Sequence, residues 1–174
     1  MRFIFMAALA ALAAVPAAAQ ERDAAPADAA RAFYAAVQRV RPHQIAPAAR
    51  ADGVDALRPM MTERIAALMD RWAETGTSDD PVTSSPDGAT GFSVGACEGG
   101  FRAAACDVAL QFERGQSSTE WTDRVFLLRE SAGQPWRVFD VSYGAAPEGR
   151  PPSLSAWLED MPGGPPGDGG ADPG

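Results

Sequence analysis

The sequence predicts an α+β domain, with N-terminal helices packed on one face of an antiparallel sheet of about four strands. Three observations carry this. Apolar residues recur with a helical period in the front half of the chain and with a period of two in the back half. The back-half segments are joined by turns short enough for hairpins. Helices followed by a run of strands read as α+β rather than as alternating units.

The first helix is marked by Ala30, Phe33, Tyr34, Val37 and Val40, one stripe at a 3.6-residue period. Pro26 and Asp28 suit its start, and Pro42 ends it. A second helical region runs from about Val54 to Thr75, split by Pro59 into a short and a longer helix. In the longer one Thr62 is placed as N-cap, and Ile65, Leu68, Met69 and Trp72 form one face. A turn-rich stretch follows from Gly76 to Gly88. Then Phe92, Val94 and Ala96 alternate, and Cys106, Val108, Leu110 and Phe112 alternate more strongly. Trp121 to Glu130 and Trp136 to Tyr143 complete the four strands, with turns at Gly115–Ser118 and Ser131–Pro135.

The ends differ from this domain. Arg2, the 13-residue apolar run Phe3–Val15, Pro16 and Ala17-Ala18-Ala19 read as a signal peptide cleaved near Ala19. The run falls short of the roughly 18 apolar residues of a membrane span, so a periplasmic or secreted protein without a membrane anchor is expected. Residues 20–144 form the domain. From Ala145 to Gly174, 7 Pro and 7 Gly in 30 residues predict disorder, except for a docked amphipathic helix at Ser153–Met161 carrying Leu154, Trp157 and Leu158. Export makes a Cys97–Cys106 disulfide the expected state of the two cysteines. A two-residue turn at Gly99-Gly100 would pair Cys97 with Arg102 instead, so the bridge calls for a longer, irregular loop through Phe101–Ala105.

Composition excludes whole classes of chemistry. There is no Lys and no Asn, all 15 cations are Arg against 23 acids, and the net charge is −8. Lysine-anchored cofactors, P-loops and Ser–Lys dyads are therefore out, and one His in the chain removes multi-His metal sites. No cofactor and no metal are expected. An acidic chain without basic clusters is not expected to bind nucleic acid.

Arg31-Ala32-Phe33-Tyr34, the Leu57–Trp72 helical pair, the Asp80-Pro81 turn and the closing Trp136-Arg137-Val138-Phe139-Asp140-Val141 together resemble the nuclear-transport-factor-2-like superfamily. Within it the chain looks closest to the bacterial domain-of-unknown-function family 3828, where a short leucine-bearing helix also follows the last strand. The resemblance spans most of Ala29–Leu158 and implies helices set against a curved, cone-like sheet. It implies no single activity, because members include isomerases, dehydratases and polyketide cyclases beside non-catalytic binding domains.

The site candidates are few. Gly91-Phe92-Ser93-Val94-Gly95 matches a nucleophile-elbow pattern, but it sits among strands and the lone His43 lies upstream. His43 reads as a surface or helix-terminal residue, and Asp79, Asp80 and Asp87 read as solvated turn residues without calcium spacing. Asp123 and Asp140 stand inside apolar strands. Asp123 shares a side with Trp121 and Val125, and Asp140 shares one with Trp136 and Val138 if no bulge intervenes. A buried carboxylate there would suit a general base; the alternative is a rim residue paired with Arg114, Arg124 or Arg137. Tyr34, Trp121, Trp136 and Tyr143 are the aromatic residues placed to line a pocket. The expected function is a non-catalytic exported domain binding a small apolar ligand or an envelope protein. Two alternatives stand beside it: an acid–base enzyme using Asp123 or Asp140, and an inhibitor or immunity-type partner.

Overall fold

The computed structural model describes residues 25–75, 77–83, 85, 87–144 and 152–161; the expected signal peptide and the rest of the Pro/Gly-rich stretch lie outside these. Helix α1, Pro26–Val40, begins with proline in its first turn and buries Ala30, Phe33, Tyr34 and Val37. It stops where Arg41, preceding Pro42, turns into the left-handed region (φ 44°) and donates its N–H to the Val37 carbonyl.

The second helical region starts earlier than its pattern suggests. Helix α2 spans Pro47–Leu57, followed by a 3₁₀ turn at Arg58–Met60 and then α3 at Glu63–Glu74. The first turns of α2 (PAARADG) show no apolar stripe, and the long side chain they bury is that of Arg50, 3% exposed. The Arg50 guanidinium donates to the carbonyls of Ile45 and Thr75 and lies 5.2 Å from the Trp72 ring centroid. It thus ties the start of α2 to the end of α3. Thr62 does occupy the N-cap position of α3, but its hydroxyl makes no capping bond. Its backbone N–H goes instead to the Val138 carbonyl, 2.9 Å away, and fastens α3 to the sheet edge.

The sheet is an antiparallel meander in the order β1-β2-β3-β4: Gly91–Gly99, Ala103–Arg114, Ser117–Leu128 and Arg137–Ser142. One face turns Cys106, Val108, Leu110, Val125, Leu127, Val138 and Val141 toward the helices, and these join α1 and α3 in a single core. The fold is therefore α+β, with helices on one face of a four-stranded antiparallel sheet.

Cys97 and Cys106 are bonded, and they stand directly opposite each other in the β1–β2 register. The connecting loop is only Gly100–Arg102, shorter than the irregular loop expected, because β2 already begins at Ala103. Gly99 makes this possible: its φ is +141°, and a Cβ there would overlap the backbone of Ala103 and Ala104. After the sheet, Ser153 caps α4 (Leu154–Glu159), whose Leu154 and Leu158 are fully buried in the same core.

Candidate functional site

The first constellation lies on the helix-facing side of the sheet and is built around Tyr34. The α1 stripe drives Tyr34 into the core between Phe33 and Phe92, at ring-centroid distances of 5.5 and 5.8 Å. Around it stand Asp123 of β3, Tyr143 just past β4, and Asp80. Burial first, then Asp123, Tyr143 and Asp80, push the Tyr34 phenol well above its ordinary value of 10.0. Asp123 is fully buried, on the Trp121/Val125 side as the alternation predicts, and accepts the Gly144 N–H at 3.1 Å. Gly144 must be glycine here, since a Cβ would run into the Thr122 carbonyl.

One expectation fails in this region and another holds only in part. Asp80 is not a solvated turn residue: it is 1% exposed. Its carboxylate accepts the Val82 N–H at 2.9 Å and the Thr83 hydroxyl at 2.5 Å, an Asx-type turn that rolls Val82 and Thr83 inward. His43 does sit at the end of α1, the helix-terminal half of its reading, but the turn after the helix buries it to 7% exposure instead of leaving it at the surface. Its Nε2 lies 3.2 Å from the Asp87 carbonyl and its Nδ1 is 3.7 Å from Asp80, beyond hydrogen-bond range. Gly88, at φ +75°, packs so closely that an added Cβ would sit 2.6 Å from the imidazole. Asp79 and Asp87 remain half-buried and exposed.

The segment 80–83 closes this side of the sheet. Tyr143 donates its hydroxyl to the Pro81 carbonyl, and Trp121 donates its indole N–H to the Thr83 carbonyl at 3.1 Å. Val82 is fully buried beneath them. The void left beside Tyr34, Gln38, His43 and Thr83 measures about 10 Å³, and Asp123 is not among its walls. That is room for about one water molecule. The Tyr34 hydroxyl, Gln38 Nε2 and His43 Nδ1 find no hydrogen-bond partner there.

Asp140 does a different job from Asp123. The register against β3 slips at Phe139, a bulge that leaves Phe139 exposed and carries Asp140 off the Trp136/Val138 face. Its carboxylate accepts the backbone N–H of Ser155 at 3.0 Å and the Ser155 hydroxyl at 2.6 Å, which docks α4. Of the arginines expected beside these aspartates, Arg124 is held by Glu98 and Asp107. Of the four aromatic candidates, Tyr34, Trp121 and Tyr143 meet around 80–83, whereas Trp136 lies apart beneath Arg129, 4.6 Å from its ring centroid. Ser93 of the elbow-like pattern is an exposed residue in the middle of β1, not on a strand-to-helix turn. No cluster of three or more His, Cys, Asp or Glu that could hold a metal occurs among the described residues.

The second constellation was invisible in the sequence, because four separate segments build it. An open groove of about 640 Å³ lies where the β3–β4 hairpin, the β1–β2 turn and the start of α3 converge. Arg64, Arg102, Arg129 and Arg137 line it together with Glu63 and Glu130, and Leu128 and Phe139 form its apolar wall. Its size falls in the range of small-molecule sites, roughly 300–1,000 Å³. No family model matches the chain, and no curated protein or solved structure matches it.

Proposed function

We propose that this chain is an exported, non-catalytic binding domain of nuclear-transport-factor-2-like architecture that takes its ligand in the outer arginine-lined groove. The observation that carries the reading is a contrast in space: about 640 Å³ at the groove against about 10 Å³ beside Tyr34. The acid–base alternative needs a substrate within reach of Asp123, and Val82, Tyr143 and Tyr34 fill that region. Asp140 is occupied in holding Ser155. Helices first, then a four-stranded meander, then a short leucine-bearing helix agree with the order in the superfamily.

Export is part of the proposal. The Cys97–Cys106 bond fits an oxidising compartment, and no helix among the described residues is long and apolar enough to cross a membrane. Fractionation of the native cells, with mass spectrometry of the N-terminus, should find the chain outside the cytoplasm and starting at Gln20.

The site assignment is tested by amide NMR of the full chain against a fragment panel. Shifts should gather at Ala103, Leu128, Arg137 and Phe139. Saturable shifts gathered at Tyr34, Asp123 and Gly144 would place binding in the interior and overturn it.

A further inference from the structure

Resting on the groove as the binding site, we propose that its ligand is an amphipathic anion: one carboxylate, sulfonate or phosphate head on an apolar body. The whole chain carries a net charge of −8. Against that background four arginines and two glutamates gather at one groove. Guanidinium groups are weakly hydrated and present a planar fork of donors, which suits them to oxyanions.

The arginines are not equivalent. Arg64 is paired with Glu159. The Arg129 side chain donates to the Phe101 carbonyl at 2.6 Å, and its guanidinium lies over the rings of Phe101 and Trp136. Arg129 is thereby a fixed wall. Arg102 and Arg137 make no hydrogen bond or ion pair with other side chains among the described residues, so their forks are left for a ligand.

The apolar half of the ligand has its own wall. Leu128 is 36% and Phe139 39% exposed, and both line the groove. Phe139 follows core-facing Val138 in the alternation, so it stands on the outer face with Arg137, and the bulge leaves it without a partner in the β3–β4 register. Glu63 and Glu130 at the same groove repel additional negative charge, so a single head is favoured over a polyanion. A fatty-acid carboxylate and an alkyl phosphate share this chemistry.

The test titrates the full chain with decanoate, decyl phosphate, neutral decyl maltoside and decyltrimethylammonium, all as monomers, following backbone amides. Decanoate and decyl phosphate should shift Ala103, Leu128, Arg137 and Phe139. The neutral and cationic probes should bind there at least about tenfold more weakly, the scale of one lost charge-assisted hydrogen bond. Arg102→Gln and Arg137→Gln, both surface changes, should each weaken the anions by a similar factor. The ratio of the two anions tells carboxylate from phosphate sources. If the neutral or cationic probes shift the same amides equally tightly, or the double variant keeps full affinity for both anions, the anionic head is wrong while the groove reading survives. If no probe shifts these amides, the groove itself is not the site.

Discussion

The two ends of β4 make opposite use of charge. At its far end Tyr143 leads into a buried cluster of Tyr34, Asp80, Asp123 and His43, with almost no free space among them. At its near end Arg137 opens onto a groove of about 640 Å³ whose charged groups are mostly at the surface. Arg137 and Tyr143 are six positions apart, about 20 Å of extended chain, and the extra residue at the bulge turns them to opposite sides of the sheet. The residues that look most like catalytic chemistry are thus the ones packed away from solvent. The end with room for a ligand has arginines, two glutamates and an apolar wall. Buried titratable groups can hold a fold together as readily as they can run a reaction, and available volume separates the two uses.

The comparison breaks first at Asp123. If the buried end is structural, Asp123→Ala should cost about 2–3 kcal/mol, because a charge-assisted bond to the Gly144 N–H is lost from a fully buried site. Gly144→Ala attacks the same contact from the other side by forcing a Cβ against Thr122, and should cost about as much. Because both changes disrupt one contact, the double variant should lose clearly less than their sum. Arg137→Ala at the open end should stay within about 0.5 kcal/mol. Urea unfolding of the four variants checks this; an Arg137 effect as large as that of Asp123 would erase the contrast.

A second, smaller effect separates the two strand aspartates. Asp140→Ala removes the acceptor that holds the Ser155 N–H and hydroxyl, and should cost about 1.5 kcal/mol. Hydrogen exchange should show the loss concentrated in Leu154–Leu158, with β2 and β3 protection nearly unchanged. Uniform loss across the sheet would mean that α4 is not a separately docked unit.

The two aspartates also mark how far the sequence was legible. Alternation placed Asp123 correctly, since Trp121 to Leu127 contains no irregularity. For Asp140 it held only if no bulge intervened, and the bulge at Phe139 removes that condition, since an extra residue has no signature in a period-two pattern. Helices α1 and α3, the four strands and the tail helix followed from periodicity and turn spacing, and the disulfide from the expectation of export; the first turns of α2 did not. The burial of His43 and Asp80 did not: both come from a loop whose polar string reads as solvated. The one available signal was Asp80 three positions before Thr83, with Val82 between, the spacing of an Asx-type turn. The groove left no local trace, because Arg64, Arg102, Arg129 and Arg137 meet only through tertiary structure.

The subtlest probe of the buried end is the Tyr34 hydroxyl, which is fully enclosed without a hydrogen-bond partner. An unpaired buried hydroxyl costs its desolvation, so Tyr34→Phe should raise stability by about 1 kcal/mol at neutral pH. Its titration gives a second check in the same direction. Below pH 10 the phenol is neutral in both folded and unfolded chains and contributes no pH dependence. Above pH 10.0 the unfolded chain releases this proton while the folded chain keeps it, because the folded value is raised. Stability then falls as pH rises, by up to about 1.4 kcal/mol per unit from this group, until the folded value is reached. In Tyr34→Phe that component should vanish, so the variant's advantage should widen with alkalinity. Denaturant titrations at pH 8 and at pH 11 measure the two differences. A destabilised variant, or an advantage that shrinks with rising pH, would mean that the hydroxyl is satisfied and that the buried end has polar contacts to spare for a ligand.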